Sequence, residues 1–306
     1  MTPPVDIVFT YVNSSDPEWK RLFTKRMHGL EHENDNRRFR DLNTIMYALR
    51  GVEKFMPWIS NVYFVVQGGT QIPKWLNLLH PRLKVVFHDE FIPKEYLPTF
   101  NSNVIEMFVH RLEGLSENFI LANDDMIAVK PLKQEDYFRD GIPVFKKVVQ
   151  SEDYHLQNNG VFKNILFNNT SLEMKYLNTT NRIQLRHYHL FNPYRLSFWN
   201  KVFNRLEKDI LSALQNSPMR TRRNINHWLI SDLQMMEEGA SIDDQSLNMH
   251  GYFAMRDDRI KNDVFTIIRK SNVICLNDCI KEDTFIAKNA RDVLDTILQE
   301  KSSFEV

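Results

Sequence analysis

The sequence of 306 residues has few cysteines, no long apolar run and no excess of either charge. Its two cysteines, Cys275 and Cys279, are too few for a disulfide framework or a four-ligand zinc site. The longest apolar runs, such as residues 62–66, have the length of a strand, so we expect no bilayer-spanning helix. The 39 Lys and Arg residues balance 39 Asp and Glu residues, whereas a nucleic-acid binder usually carries a basic excess. The N-terminus lacks the basic and apolar stretches of a signal peptide, which predicts a cytoplasmic protein.

Strand and helix patterns alternate along the first half of the chain. Strands are predicted at 5–12, 62–66, 83–87 and 119–122, and helices at 42–56 and after Pro98 as far as Leu112. This order predicts an α/β fold with a mostly parallel central sheet and flanking helices. Residues 150–186 are rich in Asn and Thr, and we expect them to form an excursion over the active face without assigned elements. Further helices are predicted at 194–214, 225–238 and 283–299.

Asn123, Asp124 and Asp125 directly follow the apolar strand at 119–122. Open α/β sheets bind their ligands at the carboxyl ends of the strands. Adjacent carboxylates at this position suit Mg²⁺ or Mn²⁺, because these ions prefer oxygen ligands and bridge to phosphates. The same residues also suit a simple turn that uses Asn and Asp for local hydrogen bonds.

Ser102 and Glu106 are spaced i, i+4 on the helix predicted after Pro98. They share a face that turns away from the apolar stripe, and Asn101 or Ser102 can cap the helix. Taken alone, this pattern favours ordinary helix capping with a solvated glutamate.

Several basic residues and histidines are further candidates for anion binding or proton transfer. Arg38 and Arg40 directly precede a predicted helix, and helix N-termini bind anions. Arg220 belongs to a basic patch that faces either a pyrophosphate or water. His187 and His189 lie in a segment of weak secondary structure, where a lone histidine is more often structural than catalytic.

Four blocks of residues occur in a recognisable order along the chain. They are 6–16; 38–41 with 72–77, 97–106 and 123–125; His189 with 193–195 and Arg220; and 274–278 with 302–305. Together they resemble the Stealth family of hexose-1-phosphoryltransferases, which includes bacterial capsule polymerases and the N-acetylglucosamine-1-phosphotransferase that tags lysosomal enzymes. The resemblance covers nearly the whole chain.

The chain departs from the usual family pattern at three places. Asn13 stands where many members have an acidic residue, and Asn224 stands where the family usually has Asp. The interval between His189 and Pro193 is longer than in typical members, so His187 stays an alternative for the catalytic position.

The resemblance implies a GT-A-like core with three parts. These are a nucleotide-sugar-binding α/β core (1–145), an insertion over the active face (146–190) and a helical part that completes the site (191–306), all within one integrated catalytic domain. It assigns catalytic roles to Glu106, Asp125, His189 and Arg220. It assigns metal binding to Asp124, Asp125 and Asp278, with Mg²⁺ or Mn²⁺ as the ion. It assigns nucleotide-sugar binding to Tyr11, Asn13, Asp16, Arg38, Arg40, Asp41, Asn101 and Ser102.

The implied reaction transfers a hexose-1-phosphate or N-acetylhexosamine-1-phosphate from a UDP-sugar to a glycan hydroxyl and releases UMP. In this interpretation Arg220 holds phosphate oxygens, because its planar fork matches them better than lysine would. His189 removes the acceptor proton, and Glu106 orients that histidine, binds sugar hydroxyls or acts as the base itself. The implied setting is bacterial capsule or surface-polysaccharide synthesis, with an oligo- or polysaccharide acceptor, free or lipid-linked, in the cytoplasm or at the inner membrane face.

Two alternatives remain open from the sequence. One is a metal-dependent glycosyltransferase of the GT-A kind that transfers the sugar alone and releases UDP. The other is a non-catalytic module that binds a carbohydrate or a nucleotide sugar. The second alternative is disfavoured because a binding module has no need for Glu106, Asp125, His189 and Arg220 in combination.

Overall fold

The computed structural model describes residues 3–29, 39–146, 148–151, 160–239, 241–243, 250–255, 268, 270–278 and 285–306. The strands are β1 (Val5–Thr10), β2 (Ile59–Val66), β3 (Leu83–Phe87), β4 (Asn118–Asn123), β5 (Met126–Ala128), β6 (Phe138–Arg139), β7 (Ile142–Lys146), β8 (Val148–Ser151), β9 (Gln184–His187), β10 (Asn192–Arg195), β11 (Ser241–Asp243), β12 (His250–Met255) and β13 (Val273–Asp278). The helices are α1 (Pro17–Met27), α2 (Thr44–Phe55), α3 (His88–Phe91), α4 (Ser102–Met107), α5 (Val161–Leu177), α6 (Leu196–Arg205), α7 (Glu207–Leu214), α8 (Trp228–Glu237) and α9 (Phe285–Ile297).

The central sheet has five strands in the order β10-β4-β1-β2-β3. Strands β1 to β4 run parallel, and β10 pairs with β4 in the antiparallel direction at one edge. Alternate side chains of β1 enter two separate apolar clusters, with Ile7 and Phe9 in one and Val8 in the other. Because successive side chains of a strand point to opposite faces, the sheet is covered on both sides. This arrangement confirms the predicted α/β class with a mostly parallel sheet.

Helix α2 packs unusually closely against β5, behind the acidic turn. Its apolar side chains recur at helical spacing and the helix ends just before Pro57, as the sequence predicts. A Cβ atom at Gly51 would lie 2.5 Å from the carbonyl oxygen of Ala128. Real Cβ atoms do not approach an oxygen so closely, so glycine is required for this contact.

The predicted helix at 194–214 is wrong in two respects. Tyr194 belongs to β10, where it pairs with Phe119 of β4, so the first residues complete the sheet instead of starting a helix. The remainder divides into α6 and α7, because the backbone at Leu206 leaves the helical conformation. Pairing with a buried strand outweighs local helix propensity at the start of this segment.

Two other helix predictions also need correction. Residues 150–186, left without assigned elements, contain the 17-residue helix α5. The helix expected from Pro98 to Leu112 is much shorter: α4 spans Ser102–Met107, and a 3₁₀ turn follows at Val109–Arg111. The C-terminal part also contributes strands, which pair with β4, β5 and β7 of the first half.

The C-terminal residues dock onto α2 and the loop that follows β2. Arg50 donates from Nε and Nη2 to the carboxylate of Glu305 at 2.8 and 2.7 Å, and from Nη1 to the carbonyl of Leu298 at 2.8 Å. The side chains of Arg50 and Glu305 are only 10% and 3% exposed. The backbone amide of Val306 donates to the carbonyl of Trp75. Within the described part of the chain, no helix has both the length and the apolarity needed to cross a bilayer.

Candidate active site

A cavity of about 780 Å³ opens at the carboxyl ends of β1 and β4. Parallel strands end together at one edge of a sheet, so the side chains that follow them converge there. The cavity wall contains seven of the predicted site residues: Tyr11, Ser102, Glu106, Asp124, Asp125, His189 and Arg220. All four predicted catalytic residues are among them, although they come from four separate parts of the sequence.

Asp125 lies in the tight turn between β4 and β5. Its Oδ2 accepts a hydrogen bond from Sγ of Cys275 at 3.3 Å. Its Oδ1 is buried and has no hydrogen-bond partner among the described residues, but it lies 3.9 Å from Nε2 of His189. A buried carboxylate oxygen without a partner is costly, so this atom is suited to receive a cation or a proton.

Asp124 is surrounded by other acidic groups. Burial raises the pKa of its carboxyl well above the ordinary value, and the neighbouring charges of Asp125 and Asp41 raise it further. Asp41 in turn accepts a hydrogen bond from the hydroxyl of Tyr11 at 2.7 Å. Burial, followed by the charge of Asp41, raises the pKa of Tyr11, so this phenol stays protonated as a donor. Carboxylates crowded in this way bind a divalent cation well, because the cation removes their mutual repulsion.

The ligand atoms of Asp125, His189 and Cys275 lie within 4.8 Å of one another. The Cys275 thiol lies within hydrogen-bond distance of Asp125, and its sulfur is a soft ligand, whereas Mg²⁺ and Mn²⁺ prefer oxygen ligands. The carboxylate oxygens of Asp124 and Asp125 remain as candidate metal ligands, and they fit a hard divalent cation. The backbone of Asp278 ends β13, but its side chain lies outside the described residues. Its predicted part in the metal set stays a prediction.

Glu106 is buried in the cavity wall, with only 4% of its surface exposed. The expectation of a solvated glutamate is therefore wrong, although Ser102 and Glu106 do share one face of α4. Oε1 of Glu106 accepts a hydrogen bond from Nδ2 of Asn123 at 3.2 Å. Burial raises the pKa of Glu106, and the Arg220 charge is the strongest opposing influence. The guanidinium of Arg220 donates to Oγ of Ser102 from Nε at 3.2 Å and also from Nη2.

The two histidine alternatives occupy different surroundings. The His189 side chain is 36% exposed and faces Asp125. Burial lowers the pKa of His189, the Asp125 charge raises it, and the Arg220 charge lowers it again. His187 also borders the cavity, but its side chain is 2% exposed and its Nε2 pairs with Oδ1 of the equally buried Asp232. The structure thus has His189, not His187, beside the acidic turn.

Asn101 is fully buried and organises the segment that carries Arg220. Its Nδ2 donates to the carbonyls of Ser217 and Met219 at 3.0 and 3.1 Å, and to Oδ1 of Asn224 at 2.9 Å. Through these hydrogen bonds, Asn101 holds the segment that carries Arg220 in place. It does not border the cavity itself, so its predicted contact with the donor stays a prediction.

Two of the other predicted nucleotide-sugar residues, Asn13 and Asp16, directly precede α1. Asp16 caps α1 by accepting from the backbone amides of Glu18 and Trp19, and it also accepts from Thr70 and Gln71. Asp16 therefore fixes the start of α1, and its predicted contact with the donor stays a prediction.

Asn13 and Gln71 exchange two hydrogen bonds. The backbone amide of Asn13 donates to Oε1 of Gln71 at 2.7 Å, and Nε2 of Gln71 donates to the backbone carbonyl of Asn13 at 3.0 Å. Neither Asn13, Asp16, Arg40 nor Asp41 borders the cavity, and Arg38 lies outside the described residues.

The sequence did not indicate two residues that the structure brings to the site. His227 borders the cavity at the start of α8, and its Nε2 lies 3.8 Å from Oε2 of Glu106. Cys275 contacts Asp125 from β13. Each is a single residue far from its partner in sequence, and no spacing rule connects them. Only the tertiary structure, in which α8 contacts β10 and β13 pairs with β5, reveals these contacts.

Comparison with known proteins identifies the family. Residues 38–145 match the model of Stealth protein CR2, conserved region 2. The capsular polysaccharide phosphotransferase WcwK of Streptococcus pneumoniae is 31% identical over 336 aligned residues, which cover 100% of both chains. The chain belongs to the Stealth family.

Other members of the family agree with this result. The receptor polysaccharide phosphotransferase WefC of Streptococcus oralis is 30% identical over 99% of both chains. The capsular polysaccharide phosphotransferase eps5J of Streptococcus thermophilus is 47% identical over 44% of this chain and 57% of its own length. The predicted family is confirmed, and with it the prediction that the chain is an enzyme that transfers sugar phosphate. The solved galactosyltransferase LgtC is a distant structural neighbour, with a TM-score of 0.43 and 8% identity over 95% of this chain and 96% of its own.

Proposed function

We propose that this enzyme transfers a hexose-1-phosphate or N-acetylhexosamine-1-phosphate from a UDP-sugar to a hydroxyl of a glycan acceptor. The products are UMP and a phosphodiester, formed during bacterial capsule or surface-polysaccharide synthesis. The observation that carries the proposal is the convergence of Glu106, Asp125, His189 and Arg220 on one cavity at the strand ends. The phosphotransferase names of the full-length relatives WcwK and WefC support the same reaction class.

The reaction requires an attack on phosphorus, with the anomeric carbon left untouched. The acceptor oxygen forms a new bond to the phosphorus next to the sugar, and the bond from that phosphorus to the bridging oxygen of UMP breaks. The acceptor proton passes to a base, and UMP leaves with the bonding electron pair. Since the anomeric bond is never broken, the configuration of the donor sugar is retained. Phosphoryl transfer of this kind depends mostly on positioning and charge neutralisation.

Arg220 is the residue proposed to hold the phosphate oxygens. Its guanidinium is already oriented by two hydrogen bonds to Ser102, and Asn101 fixes the segment that carries it. An oriented donor loses little entropy when it binds the developing charge, and removal of one such donor typically costs about 3–4 kcal/mol at the transition state. Tyr11 and Ser102, which border the same cavity, are proposed to contact the donor directly.

His189 is the residue proposed to accept the acceptor proton. Its pKa is lowered by burial, so the imidazole is neutral and able to act as a base at neutral pH. The carboxylate of Asp125 at 3.9 Å stabilises the imidazolium that forms. Glu106 is proposed to bind a hydroxyl of the sugar or of the acceptor through the part of its carboxylate that faces the cavity.

The acidic turn is proposed to hold Mg²⁺ or Mn²⁺ through the oxygens of Asp124 and Asp125, with Asp278 as a further ligand. The partnerless Oδ1 of Asp125 and the crowded charge at Asp124 both fit a divalent cation. When bound, the cation would neutralise charge on the phosphate oxygens. We further propose that the enzyme acts in the cytoplasm or at the inner membrane face, on an acceptor that is free or lipid-linked.

Product analysis tests the proposal. The purified enzyme is incubated with a panel of UDP-sugars, Mg²⁺ and candidate glycans, and the products are followed by phosphorus NMR and nucleotide chromatography. We expect acceptor-dependent UMP and a new diester signal. Release of UDP, together with a glycan product that contains no phosphodiester, would instead establish the alternative glycosyltransferase reaction.

A further inference from the structure

A line of polar side chains runs behind the cavity from Tyr194 through His227 to Glu106. The Tyr194 hydroxyl lies 2.5 Å from Nδ1 of His227 and 2.7 Å from Oγ of Ser231. On the other side of the imidazole, Nε2 lies 3.8 Å from Oε2 of Glu106. Tyr194 and Ser231 are fully buried, whereas His227 and Glu106 border the cavity with 7% and 4% of their surface exposed. The line therefore joins the edge strand β10 and the start of α8 to α4.

The surroundings of the His227 ring bear on which of its two nitrogens carries the proton. Burial, followed by the charges of His187, His189 and Arg220, lowers the pKa of His227 well below its ordinary value, so the ring is neutral and carries one N–H. Burial raises the pKa of Tyr194, so its hydroxyl keeps its proton. The carboxylate at Nε2 then decides between the two tautomers. A nitrogen lone pair facing an anionic oxygen is repulsive, whereas an N–H facing it is attractive, so this contact favours the tautomer with the hydrogen on Nε2 and with Nδ1 accepting from Tyr194.

We propose that His227 is a positioning residue, which holds the carboxylate of Glu106 through its Nε2–H; this inference rests on the proposed phosphotransfer reaction. The Oε1 atom of Glu106 accepts a hydrogen bond from Asn123, and Oε2 lies 3.8 Å from Nε2 of His227. The separation of 3.8 Å is longer than a direct hydrogen bond, and such bonds commonly shorten when the substrate binds. With both oxygens directed, the carboxylate presents a single orientation to the hydroxyl that it binds.

The same contact should control the ionisation of Glu106. The charged and titratable groups that face it are Arg220, His227 and the phenol of Tyr194. A donor to a carboxylate stabilises the ionised form, so loss of the Nε2–H should raise the pKa of Glu106 further. Loss of packing alone would admit water and lower that pKa, because burial is what raises it, so the direction of the shift is specific to the positioning role.

A matched pair of substitutions distinguishes the role of Nε2 as a donor from the role of Nδ1 as an acceptor. In His227→Gln, the amide nitrogen reaches the location of Nε2 and keeps the donor to Glu106. In His227→Asn, the amide oxygen keeps the acceptor for Tyr194, but the donor to Glu106 is lost. We expect His227→Gln to retain kcat within about fivefold, and His227→Asn to lose about 10- to 150-fold, the range typical for a hydrogen bond to a charged group.

The pH profile of kcat/KM completes the test. The ionisations of Glu106 and of His189 both contribute to the acid limb. In His227→Asn, the Glu106 contribution should move to higher pH, and in His227→Gln it should stay with the wild type. Equal losses in both variants without a shift of the limb would overturn the inference and leave His227 with a packing role only.

A spectroscopic measurement decides the inference even if the proposed reaction fails. In protein labelled with ¹⁵N-histidine, the His227 signal is assigned by its absence from His227→Gln. We expect the chemical shifts of a neutral ring protonated at Nε2. A ring protonated at Nδ1 would overturn the inference, whether or not the wild-type enzyme releases UMP.

Discussion

Asp125→Asn removes one negative charge from the acidic turn while keeping the size of the side chain. Asp125 Oδ1 lies 3.9 Å from Nε2 of His189. At this separation a carboxylate and an imidazolium attract each other by about 4 kcal/mol at an effective dielectric constant of about 20, and by about 1 kcal/mol in water. The His189 side chain is about one third exposed, so solvent screens the pair and we take about 2 kcal/mol. Loss of this attraction in the transition state should lower kcat roughly thirtyfold.

The assay is acceptor-dependent UMP release, measured across pH and Mg²⁺ concentration. Since the Asp125 charge raises the pKa of His189, its removal should lower that pKa. A base must be neutral to accept a proton, so the acid limb of kcat/KM should move to lower pH in Asp125→Asn. If Asp125 also binds the cation, the variant should need more Mg²⁺ for half-maximal activity, and saturating Mg²⁺ should restore only that part of the loss.

A matched control is Asp209→Asn. Asp209 is on α7 and forms an exposed ion pair with Lys175, away from the cavity. Exposed pairs contribute about 0–1 kcal/mol to stability, so this variant should keep both its fold and its activity. Turnover close to wild type in Asp125→Asn, or an acid limb that moves to higher pH, would refute the assigned role of Asp125.

The remaining predictions concern the phosphate contact, the catalytic histidine and the C-terminal anchor. Arg220→Lys should lower kcat about 100- to 1,000-fold without changing the thermal unfolding midpoint, since lysine cannot reproduce the planar fork; steady-state kinetics and calorimetry check this. His189→Ala should lower kcat about a hundredfold or more, whereas His187→Ala should mainly lower stability, and the reverse pattern in the same two assays would exchange their roles. Burial raises the pKa of Glu305, but the Arg50 hydrogen bond and other donors outweigh it and lower that pKa below 4.5. The stability from Glu305 is therefore present above about pH 4.5 and lost as pH falls through the folded-state pKa, so Glu305→Gln should flatten the acid side of the stability profile measured by urea unfolding.

The alternation of strands and helices in the first half was predictable from sequence. Residues 83–87 form β3 as predicted, and α2 starts and ends close to the limits set by its apolar spacing and Pro57. In these segments local propensity, apolar period and breaker residues agree, so the pattern alone identifies the element.

The second half was less predictable, because tertiary contacts determine its elements. The sequence around Tyr194 predicts an amphipathic helix, but in the structure Tyr194 lies in β10, which pairs with β4 at the edge of the central sheet. Helix α5 has a weak pattern, since Asn169, Thr170 and Glu173 are buried among its apolar residues. Buried polar residues remove the contrast between faces on which periodicity depends.

The candidate site could be predicted in composition but not in arrangement. The family resemblance selected Glu106, Asp125, His189 and Arg220, and the structure has all four around one cavity. It could not indicate that His227 lies beside Glu106, because that contact depends on how α8 packs against α4.

The missing side chain at Gly51 has a consequence for engineering. Helix α2 touches the backbone of Ala128, and only two residues separate Ala128 from Asp125. One added methyl group would press on the short strand β5 and tilt the turn that carries the acidic pair. A library built to alter sugar preference can therefore vary the cavity walls on α5 and α8, but it should leave this glycine untouched. A clone with a substitution at Gly51 would be inactive because the turn with Asp124 and Asp125 is displaced, although Gly51 does not border the cavity.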